Sequence, residues 1–111
     1  MNAPKALCRL EDIPDGEGRA FAIGREDGRE LFVVRAGDRA YGYVNSCPHT
    51  GGPLDLVPDR FMTADKRYVI CATHGATFRI EDGTCVAGPC AGKTLEAVRV
   101  RRRHGNLVLD D

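Results

Sequence analysis

Short apolar groups recur every eight to twelve residues along this chain, separated by Gly and Asp turn signals, and no segment keeps a helical period for three turns. That rhythm predicts an all-β domain. Frequent glycine and the lack of tryptophan agree with a loop-rich β domain rather than a helical bundle. The expected strands are 6–9, 20–23, 31–35 and 40–44, with turns at Asp15-Gly16, Asp27-Gly28 and Gly37-Asp38. Further strands are expected at 68–71 and 77–80, and a short one at 85–86 follows a turn at Asp82-Gly83. A closing hairpin of 95–103 and 107–109 turns at His104-Gly105-Asn106. Between strands, Asn45 to Pro53 and Gly88 to Gly92 are rich in Gly and Pro and read as loops. The run Pro58 to Lys66 has no readable period and is expected to be an excursion from the core. With 111 residues, one domain spanning 1–111 is the natural organisation, and no repeat or linker divides it.

Charge narrows the partners. Sixteen basic and sixteen acidic side chains cancel, so no global field points to nucleic acid or to a membrane. No signal-like apolar stretch opens the sequence, and nothing downstream reaches the roughly 18 apolar residues of a membrane span. A soluble, cytoplasmic protein is the expectation. Five cysteines in a small chain raise a disulfide scaffold as an alternative. The odd count speaks against it, and so do two cysteines each followed within three residues by a histidine.

Those two pairs carry the chemistry. Cys47-x-His49 and Cys71-x-x-His74 each offer one thiolate and one imidazole, a metal site by composition. A structural Cys2His2 zinc site is one reading, and would make the chain an interaction module without redox activity. Zinc motifs, however, place like with like, as C-x2-4-C and H-x3-5-H. One of each per loop suits two metal atoms: two thiolates on one iron and two imidazoles on the other, the ligation of a Rieske centre.

The stretches Cys47-Pro48-His49-Thr50-Gly51-Gly52-Pro53-Leu54 and Cys71-Ala72-Thr73-His74-Gly75-Ala76-Thr77-Phe78 resemble the two cluster-binding loops of the Rieske family. Gly88-Pro89 stands where that family carries a proline loop shielding the cluster, so the resemblance implies functional loops at about 45–54, 71–78 and 87–92. It implies a fold of stacked antiparallel sheets with a cluster-binding subdomain, and a [2Fe–2S] cofactor on Cys47, His49, Cys71 and His74. The gap between His49 and Cys71 is several residues longer than is usual in the family. Under this resemblance Gly51, Gly52 and Gly75 allow positive φ and bring backbone N–H groups towards the sulfurs, while Pro48 and Pro53 stiffen the first loop.

The resemblance also implies a role. A free-standing ferredoxin of this kind, a monomer, takes an electron from a flavin-dependent reductase and passes it to a terminal oxygenase. A small subunit of a redox enzyme such as an assimilatory nitrite reductase is the alternative. Neither reading gives the chain turnover of its own, since no general base, nucleophile or open metal position is visible. High-potential family members carry an extra cysteine in each loop, where this chain has residues such as Gly52 and Thr73. They also carry a serine and a tyrosine that bond to cluster sulfur, where this chain has Ala76 and Phe78. Fewer such bonds imply a potential at the low end of the Rieske range, about −150 mV. Proton uptake at the outer nitrogens of the histidine ligands implies a fall of about 59 mV per pH unit under alkaline conditions.

Other residues have plainer readings. Cys85 is expected as a small buried hydrophobe; Cys90, at the shielding loop, could contact the cluster environment or pair with Cys85, free thiols being the expectation in a reducing cytoplasm, while Cys8 has no assigned role. His104 reads as a solvated turn residue, and the run Arg99 to Arg103 as the solvent face of a terminal strand. Asp55 and Asp59 offer negative charge near the first cysteine loop, which would suit electrostatic docking.

Overall fold

In the computed structural model, residues 5–22, 30–48 and 51–109 are described. The expected turn at Asp27-Gly28 and the end of the expected strand at Ile23 lie outside them. Among the described residues ten strands follow in order: β1 (Lys5–Arg9), β2 (Gly18–Phe21), β3 (Leu31–Ala36), β4 (Arg39–Val44), β5 (Tyr68–Ile70), β6 (Thr77–Arg79), β7 (Cys85–Ala87), β8 (Ala97–Val98), β9 (Val100–Arg103) and β10 (Asn106–Leu109). One turn of 3-10 helix at Leu10–Asp12 is the sole helical element among the described residues. All strand pairings are antiparallel, in sheets ordered β1-β10-β9, β2-β3-β4-β8 and β5-β6-β7. The all-β expectation holds.

The second sheet is the middle layer, and β3 shows why. Leu31, Phe32, Val33 and Val34 are all fully buried, although successive side chains of a strand point to opposite faces. Leu31 and Val33 join Leu10, Ile13, Phe21, Leu107 and Leu109 in one core, against the first sheet. Phe32 and Val34 join Leu54, Val69, Phe78, Ile80 and four cysteines in the other, against the third sheet. A strand apolar on both faces therefore has to lie between two layers, and the cysteine loops belong to the second core.

Two expectations change. The strand foreseen over 95–103 divides: β8 pairs with β4 (Gly42↔Val98, Tyr43↔Ala97), whereas β9 pairs with β10 in another sheet (Leu109↔Val100). The chain crosses between layers at Arg99, between β8 and β9, and Gly42 of β4 makes room for the crossing: a Cβ there would stand 2.5 Å from Val100 Cγ2. The run Pro58 to Lys66 is not wholly outside the core either. Phe61 is fully buried and stacks on Phe32 with centroids 4.3 Å apart, while Met62 bridges to Val69.

Candidate metal centre

Both cysteine loops leave the ends of strands, the first after β4 and the second after β5, and both close in the same way. Cys47 N–H donates to Gly52 O (2.8 Å) and Gly51 N–H to Cys47 O (2.7 Å). Cys71 N–H donates to Ala76 O (2.8 Å) and Gly75 N–H to Cys71 O (2.9 Å). Each closure needs a left-handed residue four positions after the cysteine, supplied by Gly51 (φ +79°) and Gly75 (φ +74°). A Cβ at either would meet nothing within 4 Å, so backbone conformation and not space calls for glycine there. Gly52, grouped with them from sequence, is not among the positive-φ residues. The amides of Gly51 and Gly75 also serve the cysteine carbonyls rather than the sulfurs.

The two sulfurs are buried together. Cys47 is 2% and Cys71 1% exposed, and their thiols are hydrogen-bonded to one another. Burial pushes the Cys71 thiol up; the N–H groups of Thr73 and His74, directed at its sulfur, pull the other way, and Cys47 raises it further. No cationic side chain is among the groups acting on it. A pair of thiolates in this apolar setting therefore calls for a metal as its counter-charge. His74 lies on the same loop with its side chain exposed, so the second loop offers a sulfur inward and an imidazole outward. Of the four residues singled out from sequence, the structure brings Cys47 and Cys71 together with His74 on the loop of Cys71, and His49 lies outside the described residues. The donor set of soft sulfur and imidazole fits an iron–sulfur cluster or zinc.

Sequence reading missed Asn45, the sole buried polar side chain among the described residues. Its Oδ1 accepts from Leu54 N–H (2.8 Å), and its Nδ2 donates to Asp55 Oδ1 (3.0 Å). Leu54 O in turn accepts from Ala72 N–H (2.9 Å), so one residue ties the two cysteine loops together. Asp55 Oδ2 accepts from Asp59 N–H (3.2 Å) and Asp59 Oδ1 from Ala20 N–H (2.8 Å). These carboxylates, read from sequence as docking charges, also hold the backbone: Asp55 is half-buried, while Asp59 stays exposed. An asparagine beside a Gly/Pro loop is too common a signal to have been singled out.

The 88–92 turn packs where a shield is needed. A Cβ on Gly88 (φ +98°) would stand 2.7 Å from Ala76 Cα, so the turn lies directly on the second cysteine loop. Cys85 and Cys90 are buried in the same core. His104 is exposed in a turn at φ +53°, and the arginines of β9 are exposed on the edge of their sheet, as expected.

A family model described as the Rieske [2Fe-2S] domain matches residues 3–102. Among solved structures, the ferredoxin of carbazole 1,9a-dioxygenase from Nocardioides aromaticivorans IC177 is similar at a TM-score of 0.78 and 27% identity, with 97% of each chain covered. A complex of reduced oxygenase and oxidized ferredoxin in carbazole 1,9a-dioxygenase contains a chain similar at 0.77 and 24% identity, covering 96% of this chain and 91% of that one. A chain of the reduced complex between oxygenase and ferredoxin in carbazole 1,9a-dioxygenase gives 0.79 at 22% identity, covering 97% of this chain but 28% of its own length. No curated protein matches in sequence. The family match decides between the two chemistries that the donor set allows: the chain belongs to the Rieske [2Fe-2S] domain family, and its cofactor is a Rieske-type iron–sulfur cluster.

Proposed function

We propose that Cys47, His49, Cys71 and His74 hold the cluster, and that the chain, acting as one domain over 1–111, is a one-electron carrier. The observation that carries this reading is the pair of identically closed loops presenting two buried sulfurs to one another, with His74 exposed beside them. When bound, the cluster takes up and releases a single electron. Cys47 and Cys71 anchor it from the core side, the N–H groups of Thr73 and His74 stabilise charge on the Cys71 sulfur, and the 88–92 turn limits water on the second loop. His74 provides the outward edge through which a partner is met.

The electron source in this proposal is a flavin-dependent reductase and the acceptor a terminal oxygenase. Similarity over nearly the whole length to the ferredoxin of carbazole 1,9a-dioxygenase supports the carrier role. The chain turns over no substrate itself; it is one component of an oxygenase system and works as a monomer in the cytoplasm, where the cysteines outside the ligand set rest as thiols. Electron paramagnetic resonance of the anaerobically reduced protein tests the ligand set. An average g below the free-electron value is expected. Silence together with stoichiometric zinc overturns it, and loss of the signal in His74→Cys but not in His104→Ala separates ligand from bystander.

A further inference from the structure

Two sulfurs outside the proposed ligand set share its core. Cys85, 3% exposed, opens β7, and Cys90, 1% exposed, lies in the turn that follows. The Cys90 thiol donates to Cys85 Sγ across 3.3 Å, against about 2.05 Å in a disulfide. Their backbones are already tied: Cys85 N–H donates to Lys93 O (2.8 Å), Gly92 N–H to Cys85 O (3.2 Å) and Lys93 N–H to Cys90 O (2.9 Å). The same turn rests on the second cysteine loop through Gly88 and Ala76.

We propose that Cys85 and Cys90 form a reversible thiol/disulfide site, oxidised by a low-molecular-weight disulfide such as glutathione disulfide, and that the bond fastens the 88–92 turn onto the second cysteine loop. One cysteine, as thiolate, attacks the reagent's S–S bond, forming a mixed disulfide and releasing one small thiol. The second displaces the remaining small thiol and closes the bond between Cys85 and Cys90. Two protein thiols thus give up two electrons and two protons, which leave as two small thiols.

Burial explains why the pair rests in the thiol form. It pushes the Cys90 thiol up to about 12, with the hydrogen bond to Cys85 acting in the same direction, so the thiolate is scarce at neutral pH. Attack therefore requires the turn to open. Its closing bonds, Ala91 N–H to Gly88 O (3.3 Å) and Gly92 N–H to Cys85 O (3.2 Å), are the longest backbone–backbone bonds of the loops among the described residues.

The test uses the cluster-loaded protein, equilibrated across a series of glutathione to glutathione-disulfide ratios, quenched in acid, unfolded, alkylated and mapped by peptide mass. The expected result is a disulfide within the 85–90 segment, lighter by two hydrogens, reversed by dithiothreitol while the visible absorption of the cluster persists. Cys8, half-buried in β1 and packed against the other core, reports on reagent access by forming a glutathione adduct instead. Cys85→Ser and Cys90→Ser each lose the disulfide while keeping the cluster spectrum. The oxidised protein also yields its cluster to a chelator at least twofold more slowly than the reduced protein. Both thiols remaining alkylatable at the most oxidising ratio, or a bond that forms only as the cluster absorption disappears, overturns the site. Equal chelator rates overturn the fastening.

Discussion

Ala76 is fully buried in the core that holds Cys47 and Cys71, and its methyl group offers no donor to a cluster sulfur. Ser at this position, where the family resemblance places one in high-potential members, supplies a hydroxyl without filling much new volume. A hydrogen bond stronger by about 1.5 kcal/mol in the reduced state raises a one-electron potential by about 60 mV. Ala76→Ser is therefore expected to move the potential upward by that amount from a starting value near −150 mV, the low end of the Rieske range. Protein-film voltammetry reads both values. A starting potential well above zero, or no movement on substitution, rejects the account of Ala76. At this scale the sequence was informative because residue identity alone tells whether a donor is present. Which amide meets which sulfur was not legible: Gly51 and Gly75 looked like sulfur donors, yet the fold directs their N–H groups to carbonyls and turns those of Thr73 and His74 towards Cys71.

The two cysteine loops differ in sequence, C-x-H against C-x-x-H, but share one backbone closure and one tie through Asn45, Leu54 and Ala72. Asn45 and Asp55 allow a reciprocal test. Asn45→Asp sets two carboxylates face to face where a 3.0 Å hydrogen bond now stands, and is expected to cost about 2–3 kcal/mol. In Asn45→Asp combined with Asp55→Asn, the new Asp accepts from Leu54 N–H and from the new Asn amide, whose oxygen still accepts from Asp59 N–H. All three bonds return. The rate of cluster loss to a chelator should rise in the single variant and come back to within about twofold of the parent in the double variant, as paired sites couple. A double variant as labile as the single one removes Asn45 from any positioning role. No sequence pattern marked this tie, because its partners are nine and ten residues away and become neighbours only when the loop folds.

Across the whole molecule, the middle sheet holds two cores apart, and Tyr43 fastens it to the cluster side. Its ring is buried, and Oη donates to Ile80 O at 2.5 Å, joining β4 to the chain just beyond β6. Burial, and then the carboxylates of Asp82 and Glu81, hold the Tyr43 phenol above its ordinary value near 10. Cys90 is raised in the same sense, from an ordinary 9 to about 12. A raised folded value means that the native state keeps the proton more tightly than the unfolded chain. The contribution is whole below the ordinary value and is lost as pH climbs towards the folded one. The guanidinium midpoint is expected to fall from about pH 9 upward. Tyr43→Phe should lower stability by about 1 kcal/mol at neutral pH and flatten the alkaline decline. An unchanged alkaline slope in that variant shows that the phenol contributes nothing to it.

The sequence by itself determined the all-β class, nearly every strand start, and the residue types able to hold a soft metal, because side-chain period, turn chemistry and donor identity are local properties. Tertiary structure alone decided that the stretch 95–103 serves two sheets, since partner choice depends on Gly42 admitting Val100 across the chain. It alone returned Phe61 to the core from an unpatterned run, because burial depends on Phe32 waiting opposite. It also tied Asp55 to Asn45 and Asp59 to the amide of Ala20, and of the settings open to Cys90 it chose contact with Cys85, because such neighbours are made by folding.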